Sequence, residues 1–285
     1  MSVNSSSSSL NPVIHCTDSS VGLFISTAYI TTNAVLLLPL SILILCLGHR
    51  RWRRRSFATT SHSDIFTYHM AALELISVFS SAVFFCGTYA GLPEVMKVGY
   101  SVVSVVFPGQ VMFHILTCVD RYLAVVHPIT YLGLKNVRGV RIRNISIGCV
   151  WLLCFAWTGV RALYMPEAPV IPYFCLLGFS LVVVSFCSLS VLCVLIRPGP
   201  GEVGGDRERV DQSKRRAFHT IVAIMAVLWF WFTGVLVCLS LEISHILSHN
   251  GGCVVLTSSS WFTLPSSLVL PLLFLHRAGK LPCCN

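Results

Sequence analysis

The feature that most limits what this chain can fold into is a run of 28 residues, Val21 to Gly48, without one charged side chain. A helix that crosses the hydrocarbon core of a bilayer needs about 20 apolar residues. Six further stretches have the length and composition to cross. The second runs from about Ile65 to Gly91 and holds one acid, Glu74. The third includes Val98 to Val119 and continues through Arg121. The fourth, Asn144 to Val160, is short and flanked by Arg143 and Arg161. The fifth is Ala168 to Ile196, the sixth Ala217 to Leu241, and the seventh Gly251 to Leu275. Only 11% of the residues are charged, against about 25% in soluble domains. That composition excludes a disordered chain, a collagen and an ordinary soluble enzyme. The alternation of a membrane β-barrel is absent. The predicted fold is an all-α membrane protein, a bundle of seven transmembrane helices.

Charge predicts the orientation. Eighteen of the twenty Lys and Arg residues fall in the first, third and fifth... connections of one side or in the tail, leaving only Lys97 and Arg161 for the other. The first of these links carries Arg50, Arg51, Arg53, Arg54 and Arg55. Basic residues stay on the cytoplasmic side. With seven crossings, the N-terminus is expected outside and the C-terminus inside. The net charge of +9 is thus an orientation signal before it is a sign of nucleic-acid binding, and no nucleic-acid partner is expected. Residues 1–20 read as a short outer N-terminus, 21–275 as the helical domain, 197–216 as a flexible inner loop and 276–285 as a short tail. No basic start precedes the first apolar run, so no cleavable signal peptide is expected. Asn4-Ser5-Ser6 fits the glycosylation acceptor pattern. Most of the thirteen cysteines lie inside apolar runs, where they behave as small hydrophobes.

Cys118-Val-Asp-Arg-Tyr-Leu-Ala-Val-Val-His-Pro128 stands at the inner end of the third helix. It resembles the Asp-Arg-Tyr motif of rhodopsin-like G protein-coupled receptors, with the Pro of the following loop. The resemblance covers nearly the whole chain and implies a multi-pass receptor of the plasma membrane. Its partners would be an extracellular ligand, membrane lipids and a heterotrimeric G protein. It implies that Asp120 holds Arg121 at rest, that Arg121 meets the G protein on activation, and that Tyr122 and Pro128 complete the coupling element. A guanidinium at a low-dielectric edge needs a partner, and exchange of partners makes a two-state switch.

Elsewhere the likeness is partial. His69-Met-Ala-Ala-Leu-Glu-Leu75 resembles the second-helix pattern, with Glu74 in place of Asp. The resemblance places Gln110, Ser266 and Ser267 beside it, with His114 one turn below Gln110. Two readings stay open: a polar network of these five residues, or a neutral carboxyl hydrogen-bonded in the core. An intramembrane acid marks a functional site by default. Trp151 fits the fourth-helix Trp and equally fits plain packing. On the sixth helix, Phe232 takes the place of the family's Trp and Gly234 that of its Pro. On the seventh, Pro271 is kept, but Leu270 and Phe274 replace Asn and Tyr. The Cys expected at the start of the third helix is Met96. Two outer disulfides stay open, Cys86 with Cys175 and Cys16 with Cys253. Cys283 and Cys284 are palmitoylation candidates.

The resemblance places a ligand cavity among Tyr100, Val103, Ser104, Phe107, Phe232, Val235, Leu236 and Trp261. Val103 stands where amine receptors carry an acid, so a lipid-like or otherwise hydrophobic ligand is expected. No phosphate loop, metal-ligand spacing or catalytic constellation occurs, so neither enzyme activity nor a cofactor is expected. The departures leave two other readings. One is a silent or scavenging receptor. The other is a transporter or proton channel working through Glu74, Gln110 and His114.

Overall fold

A computed structural model of the chain describes residues 19–54, 62–134, 136–163, 170–196, 207–244, 246 and 248–277. Among these residues the fold is helical throughout. The long helices are α1 (Ser20–Arg54), α2 (His62–Tyr89), α3 (Pro93–Val126), α5 (Val137–Leu163), α6 (Val170–Ile196) and α7 (Arg207–Ile243). A short α4 (Pro128–Gly133) follows α3. The chain ends in α8 (His249–Ser259), a 3₁₀ turn (Ser260–Phe262) and α9 (Thr263–Arg277), which together form one further span. Seven segments are long and apolar enough to cross a membrane, the last being Gly251–Leu275. This is the seven-helix pattern expected of a multi-pass membrane protein.

α3 is the axis of the bundle. In its most apolar window 61% of residues are buried, against 22% in α1, α5 and the last span. Helices at the rim show apolar side chains outward, including Leu36, Leu43, Phe79, Leu152, Phe155, Val182 and Phe186. Against lipid tails, such exposure carries little penalty. The main core gathers Met70, Leu73, Val111, Phe113, Leu177, Val184, Leu228, Trp231 and Leu270 around α3.

Several boundaries differ from the sequence reading. α7 starts at Arg207, so residues 207–216 of the expected flexible loop are helical. The local sequence supports this: Asp211 precedes Lys214 and Arg215 by three and four residues, and no Gly or Pro follows Gly205 in that loop. Residues 197–206 lie outside the described residues. α5 starts at Val137 rather than Asn144, which takes Arg138, Arg141 and Arg143 into the helix. Arg143 is only 2% exposed. α3 starts at Pro93, a residue suited to the first helical turn, where its missing N–H costs nothing. Arg121 lies within α3, as the sequence reading has it.

The turn between α2 and α3 explains how α3 is held without a cysteine at position 96. Gly91 adopts φ 64°, the left-handed region that glycine enters freely. Beyond it the two helices run close together. A Cβ on Gly87 would collide with the backbone of Met96, and one on Gly99 with the backbone of Phe84. Met96 is itself buried. Small residues permit such close approach in membranes. We expect Gly99→Ala to destabilise the fold by about 1–3 kcal/mol, because backbone cannot move aside as a side chain can. Gly148→Ala, which meets nothing within 4 Å, should be neutral or stabilising. Thermal unfolding of both variants in detergent checks the contrast.

Candidate functional site

The Asp120-Arg121-Tyr122 sequence lies in the last two turns of α3. Asp120 is buried and Arg121 is partly buried. Arg121 Nη2 lies 3.5 Å from the Ser63 hydroxyl at the start of α2, to which it donates. The Tyr122 hydroxyl lies 3.2 Å from His127 Nε2, and its ring packs on Phe186 of α6. Pro128 is exposed and opens α4. Arg121 also lines a cleft between α3, α6 and α7. Its other walls are Thr117, Cys118, Cys187, Ser188, Val191, Ile221 and Ile224, and it holds about 300 Å³ with its open mouth included. The floor is packed, because Val191, Leu192 and Ile221 form a small apolar cluster with Tyr122 and Phe218.

Further along α3, Gln110 Nε2 donates to Glu74 Oε1 at 2.8 Å, both side chains being buried. The Ser267 hydroxyl donates to the same carboxyl. These contacts join α2, α3 and α9. A buried carboxyl is costly unless its oxygens are satisfied, and two donors satisfy them here. Two residues expected in this network are elsewhere engaged. Ser266 donates to the Thr263 carbonyl of its own helix. His114 Nδ1 has no hydrogen-bond partner, and the ring packs edge-on against Trp231 at 5.6 Å. His114 stands about 40° around α3 from Gln110, and its ring turns to Trp231 of α7. The network is therefore Glu74, Gln110 and Ser267.

It continues through residues that sequence reading missed. Tyr29 of α1 is one of them. Asn33 Nδ2 donates to the Tyr29 hydroxyl at 3.1 Å, which lies 2.8 Å from Thr263 Oγ1. Thr263 in turn donates to the Ser260 carbonyl. This chain ties α1 to the 3₁₀ turn of the last span. An amide such as Asn33 inside an uncharged run was the signal that could have revealed it. Similarly, Trp151 Nε1 donates to His69 Nδ1 at 3.3 Å, and His69 stacks on Phe113. Trp151 thus anchors α5 to α2.

Each aromatic residue of the expected ligand pocket packs on a further ring. Tyr100 packs against Phe84, Phe107 against Tyr173 and Trp231, and Trp261 against Tyr29. Ser104, Phe232 and Val235 are buried, while Val103 and Leu236 are half-buried. Trp231, rather than Phe232, touches both Phe107 and His114, and Phe232 stacks on Trp231 at 4.9 Å. Gly234 is the seat of the Phe262 ring, which a Cβ there would strike. α7 continues unbroken through Gly234. Pro271 is buried within α9, and Phe274 packs edge-on against Tyr68.

Cys86 and Cys175 are free and exposed, which removes their pairing. Cys253 is disulfide-bonded. Cys16, Asn4, Cys283 and Cys284 all lie outside the described residues. No protein-family model matches the chain, and no curated protein sequence matches it.

Replacing Gln110 with Leu leaves a buried carboxyl short of a donor, at a cost of about 1–3 kcal/mol. Glu74→Gln keeps a polar partner for Gln110 and should cost less. A double-mutant cycle on thermal unfolding should return a clear coupling between the two positions. Additive effects would contradict the bond.

Proposed function

We propose that the chain is a receptor of the rhodopsin-like, G protein-coupled class. On this reading an extracellular ligand biases the helix bundle, and the Arg121 end then favours a heterotrimeric G protein. The observation that carries it is the Asp-Arg-Tyr sequence in the last turns of the most enclosed helix, with Arg121 in the wall of a cleft between α3, α6 and α7.

The dimensions support a resting arrangement. One turn of an α-helix, some 10 Å wide and 5.4 Å long, occupies roughly 400 Å³. A cleft of about 300 Å³ admits no such helix. A partner helix would need α6 and α7 to move away from α3. The cluster of Val191, Leu192 and Ile221 is the packing that such a movement must open. Ser63 is the partner that Arg121 would exchange. A ligand that binds the open form more tightly would favour G-protein binding by the same factor, typically about 1–3 kcal/mol. The aromatic filling around Phe107, Tyr173 and Trp231 fits a small hydrophobic ligand that displaces a ring, and not a charged amine.

The test is basal G-protein activation in cells, across the main Gα classes, at matched surface expression. Wild-type protein should activate one class and Arg121→Ala should lose that activity. Activity unchanged by Arg121→Ala would overturn the role given to Arg121. A transport reading would instead require a current or flux abolished by Glu74→Gln.

A further inference from the structure

Two thiols border the cleft beside Arg121. Cys118 of α3 and Cys187 of α6 both line it, and both are free of any disulfide. The helices around them bury both, as members of the main core. Helical register shows how they stand. On α3, Cys118 lies about 20° around from Phe107 and about 40° from Tyr122. Those two rings pack on Tyr173 and Phe186 of α6. On α6, Cys187 lies about 40° around from Tyr173. Each cysteine is thus on the side of its helix that meets the other helix. Axes of packed helices lie about 8–10 Å apart, and each Cα about 2.3 Å from its axis, so facing cysteines can share one small ion.

The donor set selects the ion. Among the described residues, no three His, Cys, Asp or Glu side chains come together as a metal-holding group. Zinc takes four ligands, and calcium and magnesium take oxygens. Two thiols with apolar neighbours such as Val191, Ile221 and Ile224 suit a soft monovalent cation that is satisfied by two sulfurs. Cuprous ion is the cellular ion of that kind. With the orientation read from charge, this end of the bundle faces the cytoplasm, where thiols stay reduced. Binding breaks two S–H bonds, forms two Cu–S bonds and releases two protons, with no change of oxidation state. One cuprous ion between two thiolates carries a single negative charge. The Arg121 guanidinium in the same wall carries a single positive one, so the buried charges cancel.

From this we infer that Cys118 and Cys187 form a two-coordinate binding site for cuprous ion, with Arg121 as its counter-charge. The bound ion ties α3 to α6 across the cleft and so opposes its widening. The site goes beyond the receptor reading and does not depend on it, because its test reads only the metal.

Anaerobic titration of the full chain in detergent tests it, with Cu(I) and Zn(II) as separate probes, each against a coloured chelator. Wild-type protein should hold one Cu(I) that Cys118→Ser and Cys187→Ser each hold at least tenfold less tightly. Cys46→Ser/Cys193→Ser, which removes two exposed thiols from α1 and α6, should stay within twofold of wild type. Arg121→Ala should weaken retention about tenfold, the usual effect of losing an outer partner of a metal ligand. Zn(II) should be held at least tenfold less tightly than Cu(I). X-ray absorption at the copper edge of the wild-type complex should show two sulfur neighbours, a reading that needs no variant to fold. No copper held by the wild type, or full retention by either single serine variant, would overturn the site. An equal loss in the Cys46/Cys193 variant would overturn its location. A third neighbour at the copper, or zinc held as tightly, would overturn the two-thiolate cuprous assignment. Retention unchanged by Arg121→Ala would overturn the counter-charge.

Discussion

Everything in this bundle depends on the enclosure of α3. A helix buried among other helices in an apolar medium cannot pass its side-chain polar groups to water. A neighbour or the helix's own backbone satisfies several of them, while His114 Nδ1 has no partner. Thr117 bonds back to the Phe113 carbonyl, Ser104 to that of Ser101, and Gln110 reaches across to Glu74. The last of these is the one that binds helices together. With Ser267 it joins α2, α3 and α9 through a single carboxyl. Apolar packing alone gives little orientation in lipid, where tails are as apolar as leucine. A polar contact fixes register.

The two ends of α3 are held by different means. At the Gly91 end, glycines let the α2 and α3 backbones touch, and the loop between them is only three residues long. At the Arg121 end the contacts include more exchangeable ones. A long 3.5 Å hydrogen bond to Ser63, a small apolar cluster and an open cleft leave room for change. A rigid end and a yielding end on one helix suit a device that passes a bias along the bundle. The Trp231, Phe107 and His114 contacts lie between them, where α7 meets α3. Movement of α7 must slide or rotate those rings.

The fold was legible because hydrophobic length is a strong signal, and each of the seven spans was found. Their ends were less legible. α5 and α7 begin in charged sequence, where hydropathy falls while helical propensity and acid–base spacing persist. Glu74 was legible as an acid stranded in an apolar run, and Gln110 was placed beside it only by the resemblance. The absence of His114 from that pairing was not legible, because one turn sets it only about 40° from Gln110, and the turn of its ring toward Trp231 is a packing outcome that register does not fix. Phe232 and Trp231 are adjacent, and spacing alone could not decide which enters the core against Phe107. Asn33 and Tyr29 were passed over because the first span reads as a simple anchor. For the expected ligand pocket the resemblance supplied positions and not neighbours: Tyr100, Phe107 and Trp261 each meet a ring from outside that set.

The most direct test of this account is complex formation between the purified chain and nucleotide-free heterotrimeric G proteins in lipid nanodiscs. The account predicts a stable complex with one Gα class that GTP dissociates and that Arg121→Ala does not form. A well-folded chain that forms no GTP-sensitive complex with any Gα class, over a panel of hydrophobic ligands, would contradict it.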